Sequence, residues 1–321
     1  MKQQVTLGID IGGTNTAFGF VDRGGKLWAE GNISTTKFSQ VEDFLKDLYN
    51  NVEKLLKTIK NEVQLVGIGI GAPNANFHRG TIENAVNLGW QGIIPFCDMV
   101  KEYFPTIPVL LTNDANAATI GEMVYGGAKE MKDFVMITLG TGVGSGFVSN
   151  GKLIYGNDGF AGEFGHCTVK PNGRQCGCGR TGCLETYASA TGVKRTAYKM
   201  MAKYNYPSEL RAVSFNDMTS KMVFDAAQKG DLIAISTFKY TAKILGEALA
   251  NMVTITSPEA IFVMGGLAKA GDLLINQTKE HMELNMLFMF ANKVKILPSQ
   301  IKGNVAIYGG AALAWDGLDK V

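Results

Sequence analysis

The sequence predicts an α/β protein of two lobes, and three observations carry that expectation. The chain has 321 residues, more than one hydrophobic core usually organises. Strand-like runs alternate with stretches of helical period along its length. A glycine-turn hairpin occurs twice with a similar sequel: Gly19-Phe20-Val21, a turn and Gly25-Lys26-Leu27 in the first, Gly146-Phe147-Val148, a turn and Gly151-Lys152-Leu153 in the second. That likeness points to an internally duplicated fold whose two glycine turns face a shared cleft.

The elements follow in order. Residues 5–11 read as a strand, ended by Gly12-Gly13-Thr14-Asn15-Thr16. A second strand returns over 17–21, and Asp22-Arg23-Gly24-Gly25 turns into a third over 26–35. Over 41–60, Phe44, Leu45, Leu48, Val52, Leu55, Leu56 and Ile59 recur at helical spacing. The continuous apolar run 64–70 is the pattern of a strand buried on both faces. Another strand, 109–111, ends at Thr112-Asn113-Asp114, and a helix follows over 115–125. The second hairpin has its strand at 134–139, its turn at 140–146 and its return from Phe147. Helices are expected at 184–204, 217–228 and 231–254. A strand at 260–264 ends in Gly265-Gly266, and residues 305–308 lead into Gly309-Gly310-Ala311 and a final short helix reaching Trp315. This places a first lobe at 1–117, a second at 118–303, and a terminal helix, 304–321, that crosses back to the first.

Composition narrows the function. The formal net charge of +2 provides no broad basic field, so neither nucleic acid nor a membrane surface is an expected partner. No apolar run reaches the roughly 18 residues of a membrane span, and the stretch after Met1 is too short for a secretory signal. The cytoplasm is therefore the expected location. With 39 glycines against 8 prolines, the chain favours tight turns and close backbone approach over flexible linkers.

Three of the five cysteines crowd into 176–183. Cys176, Cys178 and Cys183 with His166 make three thiols and an imidazole, the closed tetrahedral set of a structural zinc site. Gly177, Gly179 and Gly182 permit the bends that aim three sulfurs at one point. A disulfide between Cys176 and Cys178 is disfavoured by their closeness in sequence. Cys97 and Cys167 are expected to be core thiols.

Two carboxylates stand at strand ends. In Asp10-Ile11-Gly12-Gly13-Thr14-Asn15, the glycines would let backbone N–H groups reach an anion, and Asp10 would suit a hydrated magnesium ion. A plain hairpin turn fits the same residues. Asp114 either caps the helix beginning at Ala115 or meets a ligand at the carboxyl end of its strand.

The segment Asp10-Ile11-Gly12-Gly13-Thr14 resembles the first phosphate loop of the superfamily of sugar kinases, actin and Hsp70. Residues 137–166 resemble the signature of the ROK family (repressors, open reading frames and kinases), in Leu139-Gly140-Thr141-Gly142-Val143-Gly144-Ser145-Gly146 and Gly162-Glu163-Phe164-Gly165-His166. The likeness continues through the cysteine cluster to Gly309-Gly310-Ala311. It implies a two-lobed actin-like ATPase fold, ribonuclease H-like in each lobe, with an interlobe cleft. The implied activity is ATP-dependent phosphorylation of a hexose at its 6-hydroxyl, as in a glucokinase.

By that resemblance Asp114 is the catalytic base, Asn113 holds the sugar, and Glu163, His166 and Glu185 contact its ring. Asn74 and Asn87 are added as sugar ligands, the latter from a likeness of Asn87-Leu88-Gly89-Trp90 to a family segment. Asp10, Gly12, Gly13, Thr14 and Asn15 would meet the ATP phosphates and Mg²⁺ from one lobe. Gly140, Thr141, Gly142 and Gly144 would meet them from the other, and Gly265 and Gly266 the adenosine. With one nitrogen of His166 on Zn²⁺, the other is expected to face a sugar hydroxyl. A homodimer is the expected assembly. ROK kinases commonly carry a second glycine or an arginine near Pro73-Asn74, so the sugar preference stays open among glucose, fructose, mannose, allose, N-acetylglucosamine and N-acetylmannosamine. ROK repressors carry a helix-turn-helix ahead of the sugar-binding part, and here the first strand starts within a few residues of Met1, which favours the kinase over the regulator.

Overall fold

The structure, a computed structural model, describes residues 1–319. Strands β1 (Gln3–Ile11), β2 (Asn15–Asp22) and β3 (Leu27–Ser34) form an antiparallel meander. Helix α1 (Val41–Ile59) leads to β4 (Val63–Gly71), which pairs in parallel with β1. Three short strands, β5 (Ala75–Asn76), β6 (Thr81–Glu83) and β7 (Ile93–Ile94), make a small separate sheet. Helix α2 (Phe96–Tyr103), β8 (Val109–Thr112) and α3 (Asp114–Tyr125) follow. The main sheet runs β3-β2-β1-β4-β8.

The second half repeats this wiring. Strands β9 (Phe134–Leu139), β10 (Val143–Ser149) and β11 (Lys152–Leu153) come first. Helices α4 (Glu185–Ala188), α5 (Ala190–Lys203), α6 (Ser220–Gln228) and α7 (Leu232–Thr256) precede β12 (Ala260–Met264). Helix α8 (Ile275–Asn285), β13 (Lys295–Pro298) and α9 (Val305–Leu318) complete the chain as described. The sheet order is β11-β10-β9-β12-β13, with β12 parallel to both β9 and β13. The topology thus carries the duplication that the two hairpins hinted at.

The chain divides into two compact units. One comprises Met1–Met131, Gly146–Gly162 and the residues from Ser299 on; the other comprises Lys132–Ser145 and Glu163–Pro298. Helix α3 belongs wholly to the first unit, so the expected limit at 117 falls inside it. The returning segment 146–162 is fastened there by Tyr155, whose ring stacks on Phe77 at 3.9 Å, and by Asn76 Nδ2, which donates to the Asp158 carbonyl at 2.6 Å.

The two faces of the first sheet are packed differently. Leu7, Ile9 and Ile11 of β1 and Ile68 and Ile70 of β4 are at most 2% exposed and join Phe44, Leu45, Leu48 and Val52 of α1 in one core. Burial of this kind contributes about 1.5–3 kcal/mol per large side chain. On the other face glycines replace side chains. A Cβ at Gly8 would lie 2.0 Å from the Ile307 carbonyl oxygen, and one at Gly69 2.0 Å from that of Gly310. Helix α9 therefore sits directly on strand backbone, and the Thr6 hydroxyl donates to the Ala311 carbonyl at 3.1 Å. Gly310 of α9 completes the seam, where a Cβ would lie 2.5 Å from the Gly69 carbonyl oxygen; a glycine inside a helix costs about 1 kcal/mol, which the close approach offsets.

Several elements differ from expectation. The helix expected over 184–204 breaks at Ser189, whose hydroxyl accepts the Gly192 N–H at 3.0 Å and caps α5. Helix α9 begins at Val305, ahead of the glycine pair, because the apolar run 305–308 continues into a glycine–alanine stretch that can still wind. Strand β10 starts at Val143, inside the glycine-rich run, so the turn proper is shorter than expected. Helix α2 and the short strands β5, β6, β7 and β11 are too brief to give a periodic signal. Among the described residues no helix is long and apolar enough to cross a membrane.

Candidate active site and metal centre

In the first unit, parallel pairing brings the carboxyl ends of β1, β4 and β8 together, with Asp10 beside Gly71 and Gly71 beside Thr112. Asn113 and Asp114 follow at the N-terminus of α3. The Asn113 carboxamide oxygen accepts the Asn116 N–H at 2.7 Å, so Asn113 rather than Asp114 caps the helix. Asp114 is the first helical residue, and its Oδ1 accepts the Ala115 N–H at 2.8 Å. Both carboxyls are raised above the ordinary carboxylate range. Burial and then the Asp114 charge push Asp10 up to about 7, and burial raises Asp114 against the opposing pull of its backbone hydrogen bond from Ala115. Asp10 is half-buried and Asp114 keeps solvent contact although protein surrounds its carboxyl; two such acids side by side need a cation or donors supplied by a ligand to ionise together.

The first glycine turn lies beside this pair. The Gly12 N–H donates to the Asn15 carbonyl at 3.0 Å, and the Thr14 carbonyl accepts the Thr35 N–H at 2.8 Å. A Cβ at Gly13 would sit 2.7 Å from the Asn87 carbonyl oxygen, so Gly13 and Asn87 are packed together. Gly13, Asn87, Thr36, Lys37 and Ser39 line an open cavity of about 490 Å³. Asn74 adopts a left-handed backbone, φ 51°, and its Nδ2 donates to the Glu83 and Asn84 carbonyls at 3.1 and 3.2 Å. Its amide nitrogen is thus engaged where β6 ends, at the open end of the β5–β6 hairpin.

In the second unit the ligand atoms of His166, Cys176, Cys178 and Cys183 all lie within 4.8 Å of one another. Cys176 Sγ is 3.6 Å from His166 Nδ1, and Cys178 Sγ is 3.7 Å from Cys183 Sγ. A tetrahedron built on Zn–S bonds of about 2.3 Å has edges of about 3.8 Å, so the four donors fit that ion. Burial, reinforced by hydrogen bonding to Cys178 and then Cys176, pushes the Cys183 thiol up to about 12. Three thiolates here call for a cation among them. Cys97 is buried as expected; Cys167 is exposed, because it follows a 3-10 turn, Phe164–His166, that leads it outward.

The same cluster holds the acids. His166 Nε2, the nitrogen away from the thiols, lies 4.0 Å from Glu163 Oε2. Glu185, the first residue of α4, has Oε1 3.8 Å from Cys176 Sγ, and its Oε2 accepts the Val143 N–H at 3.1 Å. Glu185 therefore links the cysteine loop to the second glycine hairpin. In that hairpin the Gly140 N–H donates to the Gly142 carbonyl at 3.0 Å, the Gly144 N–H to the Thr138 hydroxyl at 3.1 Å, and the Thr191 hydroxyl to the Thr141 carbonyl at 3.4 Å. A Cβ at Gly142 would meet Glu185 Oε2 at 2.3 Å. Gly265, at φ 99°, abuts the end of β9, where a Cβ would lie 2.4 Å from the Leu139 carbonyl oxygen. Gly266 then leads into a 3-10 segment, Leu267–Leu273.

Sequence reasoning named the members of both clusters but missed two of their supports. Gly71 keeps the space between Asp10 and Asp114 free of a side chain, and the Val143 N–H orients Glu185. The first was visible only as a glycine ending an apolar strand; a backbone donor leaves no sequence signal.

A duplicated α/β chain with glycine turns, paired strand-end acids and a thiol–imidazole cluster defines a class of two-unit phosphotransferase folds. Residues 6–316 match the ROK family, and the chain belongs to it. It is 37% identical to the glucokinase of Halalkalibacterium halodurans over 319 residues, 98% of this chain and 96% of that protein. A crystal structure of a ROK family glucokinase from Streptomyces griseus, in complex with glucose and AMPPNP, superposes with a TM-score of 0.78 at 31% identity, over 98% of this chain and 100% of that one. The ROK hexokinase from Thermus thermophilus gives a TM-score of 0.82 at 26% identity, over 99% of this chain and all of that one. The fold is the actin-like ATPase fold of these kinases.

Proposed function

We propose that this protein is an ATP-dependent hexose kinase acting on the 6-hydroxyl, with glucose as its first candidate substrate. Full-length similarity to a glucokinase and the paired acids Asp10 and Asp114 at adjacent strand ends carry the reading. Asp114 accepts the proton of the sugar hydroxyl as its oxygen attacks the γ-phosphorus; the bond from that phosphorus to the bridging oxygen breaks and ADP leaves. A carboxylate in this role orients the nucleophile more than it drives the step. Asn113, its oxygen already on α3, presents its amide nitrogen to the sugar. Glu163, His166 through Nε2 and Glu185 take the vicinal hydroxyls, and Asn87 is a further sugar ligand.

Gly12, Gly13, Thr14 and Asn15 offer backbone and short polar groups to the phosphates, as do Gly140, Thr141, Gly142 and Gly144, with Gly265 and Gly266 at the adenosine. Asp10 would hold Mg²⁺, which supplies charge neutralisation on the phosphates. Zn²⁺ on His166 Nδ1 and the three thiolates would fix the ring so that Nε2 points to the sugar. The enzyme works in the cytoplasm, and a dimer is supported by an exposed apolar cluster, Leu284, Leu287, Phe288 and Met289, on the second unit.

A coupled ADP-release assay over glucose, fructose, mannose, allose, N-acetylglucosamine and N-acetylmannosamine tests the proposal. The expected result is sugar-dependent turnover highest with glucose. Turnover with none of the six would refute it; a maximum elsewhere would move the substrate assignment.

A further inference from the structure

Helix α3 begins with Asp114 and, two turns later, carries a buried acid that the reaction does not use. Glu122 is 0% exposed. Its Oε1 accepts two backbone N–H groups, Gly127 at 2.7 Å and Gln300 at 2.9 Å, and its Oε2 accepts the Ser299 hydroxyl at 2.6 Å. Its own carbonyl accepts the N–H groups of Gly126 and Ala128 at 3.1 and 3.3 Å.

These partners occupy particular places in the chain. The chain leaves the first unit after Met131 and comes back to it for good at Ser299. Glu122 thus ties the outgoing passage, 126–128, and the returning passage, 299–300, to a single oxygen atom. Room for this is made by glycine: a Cβ at Gly126 would lie 2.4 Å from the Glu122 carboxylate, and one at Gly127 2.8 Å from the Gln300 side chain. One helical turn earlier, Thr119 meets the intermediate return. A Cβ at Gly146, the first residue of that segment, would sit 2.0 Å from the Thr119 hydroxyl. Three of the chain's four passages are therefore seated on α3.

We infer that Glu122 is a positioning residue: its carboxylate pins the outgoing and returning passages to the helix that presents Asp114, so that sugar binding and ATP use are coupled through one buried anchor. The coupling to turnover rests on the proposed kinase function; the pinning does not. A buried carboxylate with three donors resists loss of any one of them, since each donor abandoned is a polar group left unpaired. Motion of the chain at one passage must then be felt at the other.

Hydrogen exchange on the full-length, ligand-free protein tests the pinning without any turnover. In Glu122→Gln, protection should fall at peptides covering Gly127 and Gln300 together, by about tenfold, as expected when a charged acceptor becomes neutral. Loss at one passage only, or a uniform loss across the first unit, would overturn the proposal. Should Glu122→Gln not fold, Ser299→Ala carries the test: exchange must rise at Gly127, whose own contacts are untouched, and unchanged protection there overturns it. In turnover, the ratio of sugar-free ATP hydrolysis to sugar phosphorylation should rise several-fold in Glu122→Gln, as expected when the two passages no longer move together. Equal loss of both rates marks a merely structural residue and overturns the positioning role. A wild type that phosphorylates no sugar defeats the kinase reading and leaves the exchange result standing.

Discussion

Asp10 and Asp114 face one another across a residue with no side chain. A Cβ at Gly71 between them would lie 3.5 Å from Asp10 Oδ1 and 3.7 Å from the Asp114 Cα. Burial, with the Asp114 charge second, pushes the Asp10 carboxyl up to about 7. The folded protein therefore holds a proton that the unfolded chain releases near pH 4.

The sign of the resulting pH dependence is fixed. Between pH 4 and 7 the native state binds more protons than the unfolded one, so this group's contribution to stability is full below pH 4 and lost as pH rises through 7. The stability of wild type relative to Asp10→Asn should decline across that window by at most about 1.4 kcal/mol per pH unit. Urea titrations of both proteins at several pH values check it, and a flat difference would remove the assigned shift.

Asp114→Asn keeps an oxygen for the Ala115 N–H, so α3 should stay in place. Its kcat should drop by about 10²–10⁴, the usual worth of a positioned base, while the hexose Kd from calorimetry changes by less than about threefold. Near-normal turnover would transfer the base role to another group.

Gly142→Ala separates folding from sugar binding. The added methyl meets the end of the Glu185 side chain at 2.3 Å, and a flexible carboxylate can swing away at little cost. The melting temperature should hold, and the hexose KM should rise by about tenfold or more as Glu185 leaves its bond to Val143. An unchanged KM would take Glu185 out of the sugar pocket.

Metal analysis should return about one zinc per chain, as a closed four-ligand site requires. Cys183→Ser should lose that metal and melt lower, because the ligands at 166 and 176–183 are then no longer joined through one ion. Full zinc content in the variant would dismiss the site.

Gly69→Ala drives a methyl to 2.0 Å from the Gly310 carbonyl oxygen, where neither backbone can yield. Overpacking of this kind costs about 3 kcal/mol, measurable as a lower denaturant midpoint.

The parts legible in the sequence were those with a period or a fixed chemistry. β9 and β12 fall at the residues their apolar runs predicted, and α1 starts where its heptad-like spacing starts. The thiol–imidazole set converges as its spacing foretold. What stayed hidden depends on tertiary context. The apolar run 305–308 carries no period of its own, and its winding as the start of α9 goes with the seat that Gly8 and Gly69 offer that helix. Asp114 reads as a possible cap of α3; Asn113, in extended backbone at φ −70° and ψ 162°, takes that role and leaves Asp114 as the first helical residue. The left-handed backbone of Asn74, with its amide on two carbonyls at the end of β6, likewise depends on a strand that sequence pattern did not show.

Helix α9 lies on β1 although some three hundred residues separate them, the Thr6 bond to Ala311 alone spanning 305 positions. During synthesis the glycine-floored face of the first sheet must wait, uncovered, until that helix emerges from the ribosome. The uninterrupted stretch from Glu163 to Pro298 has no such delay. Nascent chains stalled before α9 should therefore engage chaperones through the earliest strands, while the later-made unit is already compact.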